Sequence, residues 1–91
     1  MLDTAAKPAP VAGYDLESMD DEVVIYHPLT ETIFYCNPTA ALIFRLCDGS
    51  RSVAEISGLL EEAYPESRGE IARDVIDTVQ RLVKHGALLL S

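Results

Sequence analysis

The hydrophobic period of the chain changes once, at Asn37-Pro38, and that change limits the possible folds more than any other feature of the sequence. Before it, short β-branched and aromatic segments alternate with polar turns; after it, apolar residues recur at helical spacing. Glu22 to Tyr26 (EVVIY) and Thr32 to Cys36 (TIFYC) are strand-forming segments. Between them, His27-Pro28-Leu29-Thr30-Glu31 reads as a hairpin connection, because Pro28 cannot donate to a ladder. The weaker stretch Tyr14 to Ser18 sets Tyr14, Leu16 and Ser18 against Asp15 and Glu17. It is expected to be a first strand, joined to the next through the acidic tip Met19-Asp20-Asp21. The product is a three-stranded antiparallel meander with its third strand at an edge. On that strand Phe34 and Cys36 are assigned to the core, which turns Ile33 and Tyr35 outward.

After the change of period, Asn37 is an N-cap and Pro38 the first helical residue, where a missing N–H costs nothing. This helix stops at Asp48-Gly49. Ser52-x-x-Glu55 is a capping box that opens a second helix, with Val53, Ile56, Leu59, Leu60 and Ala63 on one stripe and Pro65 at its end. Ser67-x-x-Glu70 is a second capping box. The helix it opens carries Ile71, Val75, Ile76, Val79, Leu82 and Val83 as a sustained apolar stripe and ends at Gly86. Ala87 to Leu90 is expected to pack back on the core. Residues 1–13, rich in proline and alanine, read as a flexible lead-in, so the ordered domain is expected to span 14–91. The fold class is α+β: a winged-helix-like domain of three strands followed by three α-helices.

Composition narrows the function. A chain of 91 residues supports one modest core and leaves little material for a substrate cavity beside it. No apolar run approaches membrane-spanning length, and no secretory signal is read at the N-terminus, so the expected address is the cytoplasm. The net charge of −8 repels a phosphate backbone. Four of the seven basic residues, Arg68, Arg73, Arg81 and Lys84, lie in the C-terminal quarter, where any acidic partner would land. Cys36 and Cys47, eleven apart, form no metal-ligand spacing with the two histidines and read as small core residues in a reducing compartment. The carboxylates Asp20, Asp21 and Glu22 sit on a solvated turn without an apolar pocket. His27 and His85 have no neighbouring nucleophile, and no phosphate-binding glycine motif occurs. No enzyme, metal or cofactor is expected.

The order of the parts resembles a known family. The run NPTAALIFRLCDGSRSVAEISGLLEEAYP followed by DVIDTVQRLVKHGALL is similar to the PqqD-like proteins, small peptide chaperones also called RiPP recognition elements. The shared parts are Asn37, Thr39-Ala40-Ala41, Cys47-Asp48-Gly49, Ser52-Val53-Ala54-Glu55-Ile56, Tyr64, Asp74-Val75 and Gly86-Ala87-Leu88. They cover about 70 of the 91 residues, in order. Many members carry a tryptophan near the strands or first helix; this chain has none.

The resemblance implies a non-catalytic module; a monomer or weak dimer is expected. It would bind the leader of a ribosomally made precursor peptide and present it to a modifying enzyme such as a radical-SAM protein, a protease or a cyclase. The leader would add as a strand to the exposed edge at Thr32, Ile33, Phe34, Tyr35 and Cys36, beside a helix wall drawn from residues 73–84. Arg73, Asp77, Thr78, Arg81 and Lys84 are the candidate contacts on that wall. Two other readings compete: a winged-helix DNA-binding regulator using residues 68–85, and a small protein–protein adaptor. The acidic background and the lack of a basic wing at Pro28 to Glu31 count against DNA, so neither nucleic acid nor membrane is expected as a partner.

Overall fold

Three strands and three helices form where the change of period places them, and a further two-stranded ribbon joins the two ends of the chain. The computed structural model describes residues 3–19 and 22–91, with Ser18, Met19 and Glu22 described by their backbone alone. The elements are β1 (Pro8–Pro10), β2 (Asp15–Met19), β3 (Glu22–His27), β4 (Thr32–Cys36), α1 (Pro38–Leu46), α2 (Val53–Ala63), a 3₁₀ turn (Pro65–Ser67), α3 (Arg68–Lys84) and β5 (Leu88–Leu90). The acidic tip expected at Asp20-Asp21 lies outside the described residues.

β2, β3 and β4 form an antiparallel sheet in that order, so β3 is central and β4 lies at an edge. Ile25 pairs with Phe34 and Val23 with Cys36, which puts these side chains on the face covered by the helices. Ile25 is fully buried there, while Phe34 and Cys36 pack against the core from its margin. The assignment of these two residues to the core holds. The centre of the core is Ile25, Ile43, Val53, Ile56, Val75, Val79 and Leu88. α3 contributes Ile71, Val75, Val79 and Leu82 to it as one continuous stripe.

The helix starts separate into real and apparent caps. The Ala40 N–H donates to Asn37 Oδ1 at 2.7 Å, with Pro38 in the first turn. At α2 the capping box forms in full: the Glu55 N–H donates to Ser52 Oγ (3.1 Å) and the Ser52 N–H to Glu55 Oε1 (2.9 Å). The second box does not form. Ser67 has ψ 16°, whereas Asn37 and Ser52 have the extended ψ of 168° and 164° that aims a capping oxygen at the third helical N–H. The 3₁₀ turn runs straight into α3, and the Ser67 N–H donates to the Tyr64 carbonyl at 3.1 Å.

The lead-in also departs from expectation. Instead of an irregular tail, Pro8–Pro10 pairs antiparallel with Leu88–Leu90, Pro8 against Leu90. The reason is a demand set elsewhere in the chain. The first N–H groups of a helix have no internal partner; here Val53 and Ala54 donate to the carbonyls of Ala6 and Thr4, each at 3.0 Å. The Gly49 N–H donates to the Pro8 carbonyl at 2.9 Å, and Pro8 itself is buried. The tail packs back as expected, with Ala87 and Leu88 fully buried.

The two serines give a test of this difference. Ser52→Ala should destabilise the protein by about 1 kcal/mol, whereas Ser67→Ala should change stability by only a few tenths. Urea unfolding of the two variants beside the parent checks it; equal losses would mean that both boxes act alike in solution.

Candidate functional site

The edge strand alternates as its sequence requires: Thr32, Phe34 and Cys36 are half-buried, while Ile33 and Tyr35 are 56% and 75% exposed. Because β3 occupies one side of β4 and no strand of the described residues occupies the other, the N–H and C=O groups on its free side have no strand partner among them. A cavity of about 230 Å³ runs along this side, between β4 and the C-terminal half of α3. Ile33, Phe34, Tyr35 and Cys36 line it from the strand; Thr78, Arg81, Leu82 and His85 line it from the helix, with Ala40 at one end. Residues of both faces of β4 contribute, as they must where a cavity follows a strand's edge and not one of its faces.

The helix wall follows from spacing. Thr78, Arg81, Leu82 and His85 sit at i, i+3, i+4 and i+7, which is one side of a helix. Leu82 and Thr78 are buried and form the floor, while Arg81 and His85 are exposed at the lip. The ring of His85 lies 5.2 Å from that of Phe34, closing the end of the groove nearest the β3–β4 hairpin. Phe34 stacks in turn on Tyr14 at 6.1 Å, and Tyr14 meets His27 edge-on at 4.9 Å, so the strand is braced from behind by aromatic contacts.

Of the residues expected at the site, Ile33, Phe34, Tyr35, Cys36, Thr78 and Arg81 come together around this cavity. Asp77 lines a continuation of it with Asn37, Thr39 and Asp74. Thr32, Arg73 and Lys84 line neither. Helical phase explains the last two: Arg73 and Lys84 are eleven residues apart and fall within about 20° of each other, but about 60–80° round the helix from Arg81. The three cations among the candidate wall contacts therefore separate into one on the groove and two beside it. Among the described residues the only ion pair is Arg51 with Asp48, at 3.1 Å, so Arg81 is not neutralised by Asp74 or Asp77. Sequence reasoning missed Ala40, Leu82 and His85. His85 was within reach, since it continues the Thr78–Arg81 spacing by one more turn.

Charge at the groove is set by Arg81. Burial pushes the Cys36 thiol above its ordinary pKa, and the Arg81 guanidinium partly opposes that shift. Cys47, in the core, is pushed up to about 12, mainly by burial and further by the Asp48 carboxylate. No group of metal-ligating side chains occurs among the described residues. What the arrangement offers is main-chain hydrogen bonding along one edge, an apolar floor and one positive charge at the lip.

Sequence and structure comparisons each return matches. The family described as coenzyme PQQ synthesis protein D (PqqD) matches residues 22–88. A PqqA binding protein of Klebsiella pneumoniae is 41% identical over 70 residues, 75% of this chain and 73% of the relative. Another, from Rhodopseudomonas palustris (strain TIE-1), is 40% identical over 58 residues, 64% of this chain and 57% of the relative. Among solved structures, TbiB1 in complex with the TbiA(beta) leader peptide superposes with a TM-score of 0.71 at 25% identity, covering 88% of this chain and 93% of the other. A lasso peptide synthetase B1 complexed with the leader peptide gives a TM-score of 0.75 at 23% identity, covering 91% and 98%, which bears on the fold alone.

The position of Arg81 is open to a direct check. Arg81→Gln removes the cation that favours the Cys36 thiolate, so the pH midpoint for alkylation of Cys36 should move upward, with Cys47 silent in the folded protein. Mass-resolved alkylation rates between pH 7 and pH 10 measure it, and an unmoved midpoint would separate Arg81 from the thiol.

Proposed function

The chain belongs to the PqqD family, and on that premise we propose that it is a peptide-recognition element that binds the leader of a ribosomally synthesised precursor peptide along β4 and hands it to a modifying enzyme. The observation that carries the reading is the open edge of β4 beside a walled groove. A disordered leader gains main-chain hydrogen bonds at such an edge whatever its sequence, and loses conformational entropy in ordering. Specificity then comes from side chains. Alternate leader residues point into the groove toward Leu82 and Phe34, and Arg81 draws an acidic residue to its lip.

The proposal is non-catalytic and needs no cofactor: the domain supplies binding, and the chemistry belongs to a partner such as a radical-SAM enzyme, a protease or a cyclase. The curated relatives are named for binding PqqA, and TbiB1 holds a leader peptide, which supports the precursor peptide as the first partner. We place the protein in the cytoplasm as a monomer or weak dimer; no helix of the described residues is long and apolar enough to cross a membrane. DNA binding is disfavoured by the net charge of −8 and by the separation of Arg73 and Lys84 from Arg81.

Two experiments test the strand addition. Successive N–H groups of a strand point to opposite sides, so Thr32→Pro and Ile33→Pro each remove a donor, one toward β3 and one toward the free edge. The variant that keeps its fold should lose leader binding, read by calorimetry with synthetic PqqA and lasso-precursor leader peptides. A folded variant of that pair with parental affinity would sink the idea. If neither folds, leader binding to the parent should instead slow hydrogen exchange at alternate amides of Thr32–Cys36, and unslowed exchange has the same meaning.

The charge contribution is separable. Arg81 is exposed and unpaired, so Arg81→Glu should leave the thermal midpoint nearly unchanged. Leader affinity should fall by about 1 kcal/mol or more, and by less as salt rises. Equal affinities at low and moderate salt would assign recognition to the apolar groove alone.

A further inference from the structure

The groove does not stop where β4 ends. The cavity beside β4 shares Thr78 and Arg81 with a second, of about 380 Å³. That one shares Thr39 and Asp74 with a third, of about 310 Å³, at the N-terminal end of α3. The three form a continuous furrow along one side of the helix. Their chemistry differs along its length. The middle section is polar, lined by Asn37, Asp77 and Arg81. The last section has an apolar floor of Leu42, Leu60 and Ile71, with Tyr64 on its rim beside Glu70 and Asp74.

Resting on the peptide-recognition reading, we propose that this last section is an anchor subsite for the same peptide. It takes one aromatic or branched aliphatic side chain with a lysine or arginine next to it. Three observations carry the assignment. The first is size: pockets for whole small-molecule ligands run from roughly 300 to 1,000 Å³, so a cavity at the bottom of that range, open to a furrow, suits one side chain of a chain held elsewhere. The second is reach. Ile71 and Arg81 are ten residues apart on α3, about 15 Å of helix, which an extended peptide covers in four to five residues. The third is charge. Glu70 and Asp74 are four apart on the helix surface, where like charges repel, and neither is in an ion pair among the described residues. A cation delivered beside the anchored side chain relieves that repulsion. Arg81, where the β4 groove meets the middle section, favours an acidic residue at the point where the peptide leaves β4.

The furrow thus reads a pattern in the leader: a segment that pairs with β4, an acidic residue at Arg81, then an apolar residue flanked by a basic one. The test uses synthetic PqqA and lasso-precursor leader peptides titrated into isotope-labelled protein. The tightest binder should shift the amide signals of Leu42, Leu60 and Ile71 together with those of Thr32–Cys36. Of the three sections Ser67 lines the last alone; it is exposed and makes no capping bond, so Ser67→Trp fills the cavity from its rim. It should weaken that peptide about tenfold, but weaken a version with its anchor residue replaced by alanine less than about twofold. If Ser67→Trp fails to fold, the surface variant Glu70→Lys/Asp74→Lys replaces it and should abolish the preference for a basic residue beside the anchor. Shifts confined to β4 and the C-terminal half of α3, or parental affinity in the filled or charge-reversed variant, would overturn the subsite and leave strand addition standing. Failure of every peptide to bind the parent protein would overturn the peptide-recognition reading, and the subsite with it.

Discussion

The burial of one stripe on α3 is the constraint from which the site follows. Ile71, Val75, Val79 and Leu82 lie in the core with Ile25, Ile43, Val53, Ile56 and Leu88. Each fully buried aliphatic side chain of this kind contributes about 1.5–3 kcal/mol, so the stripe fixes the rotation of the helix about its own axis. Once that rotation is fixed, Thr78, Arg81 and His85 must face the side on which β4 ends the sheet. The groove is the gap left between a helix held by its apolar face and a strand held by one neighbour.

An open edge is a hazard that proteins ordinarily suppress, and the two sheets of this domain treat it differently. The β1–β5 ribbon carries Pro8 and Pro10, which lack an N–H, so β1 offers little to a further strand. β4 carries no proline, no lysine and no inward charge, and it leaves Ile33 and Tyr35 exposed. The same chain that leaves β1 short of donors leaves β4 with all of its own. The net charge of −8 opposes pairing between copies, but it acts at a distance and does not block the edge itself.

Much of this was legible in the residues because it is local. The change of period at Asn37-Pro38, the cap at Asn37 and the full box at Ser52 each rest on neighbours within four positions, and so does the facing of Phe34 and Cys36. What escaped was non-local. The order of the lead-in comes from helix donors at Val53 and Ala54 and from a partner strand near the far terminus, which no window over residues 1–13 contains. Ser67-x-x-Glu70 fits the capping pattern but fails in backbone: a preceding 3₁₀ turn had already set its ψ. Arg73, Arg81 and Lys84 are all candidates on the helix wall by sequence, and only the rotation of the packed helix leaves Arg81 alone of the three on the groove. Cavities between elements, such as the one under Tyr64, leave no signature in any single segment.

On the proposed strand addition, the division between edge and furrow would let so small a domain be selective. Main-chain pairing along five residues of β4 favours any extended peptide, so it raises affinity for right and wrong partners alike. Discrimination needs side chains that penalise the wrong sequence, and on an acidic surface a negative peptide is disfavoured nearly everywhere. Arg81 is the local exception at the groove, with its charge unspent on Asp74 or Asp77. In the proposed recognition the acidic background sharpens the choice: it discourages an acidic peptide from settling elsewhere on the domain, and leaves one place where its negative charge would be matched beside an edge that could hold its backbone.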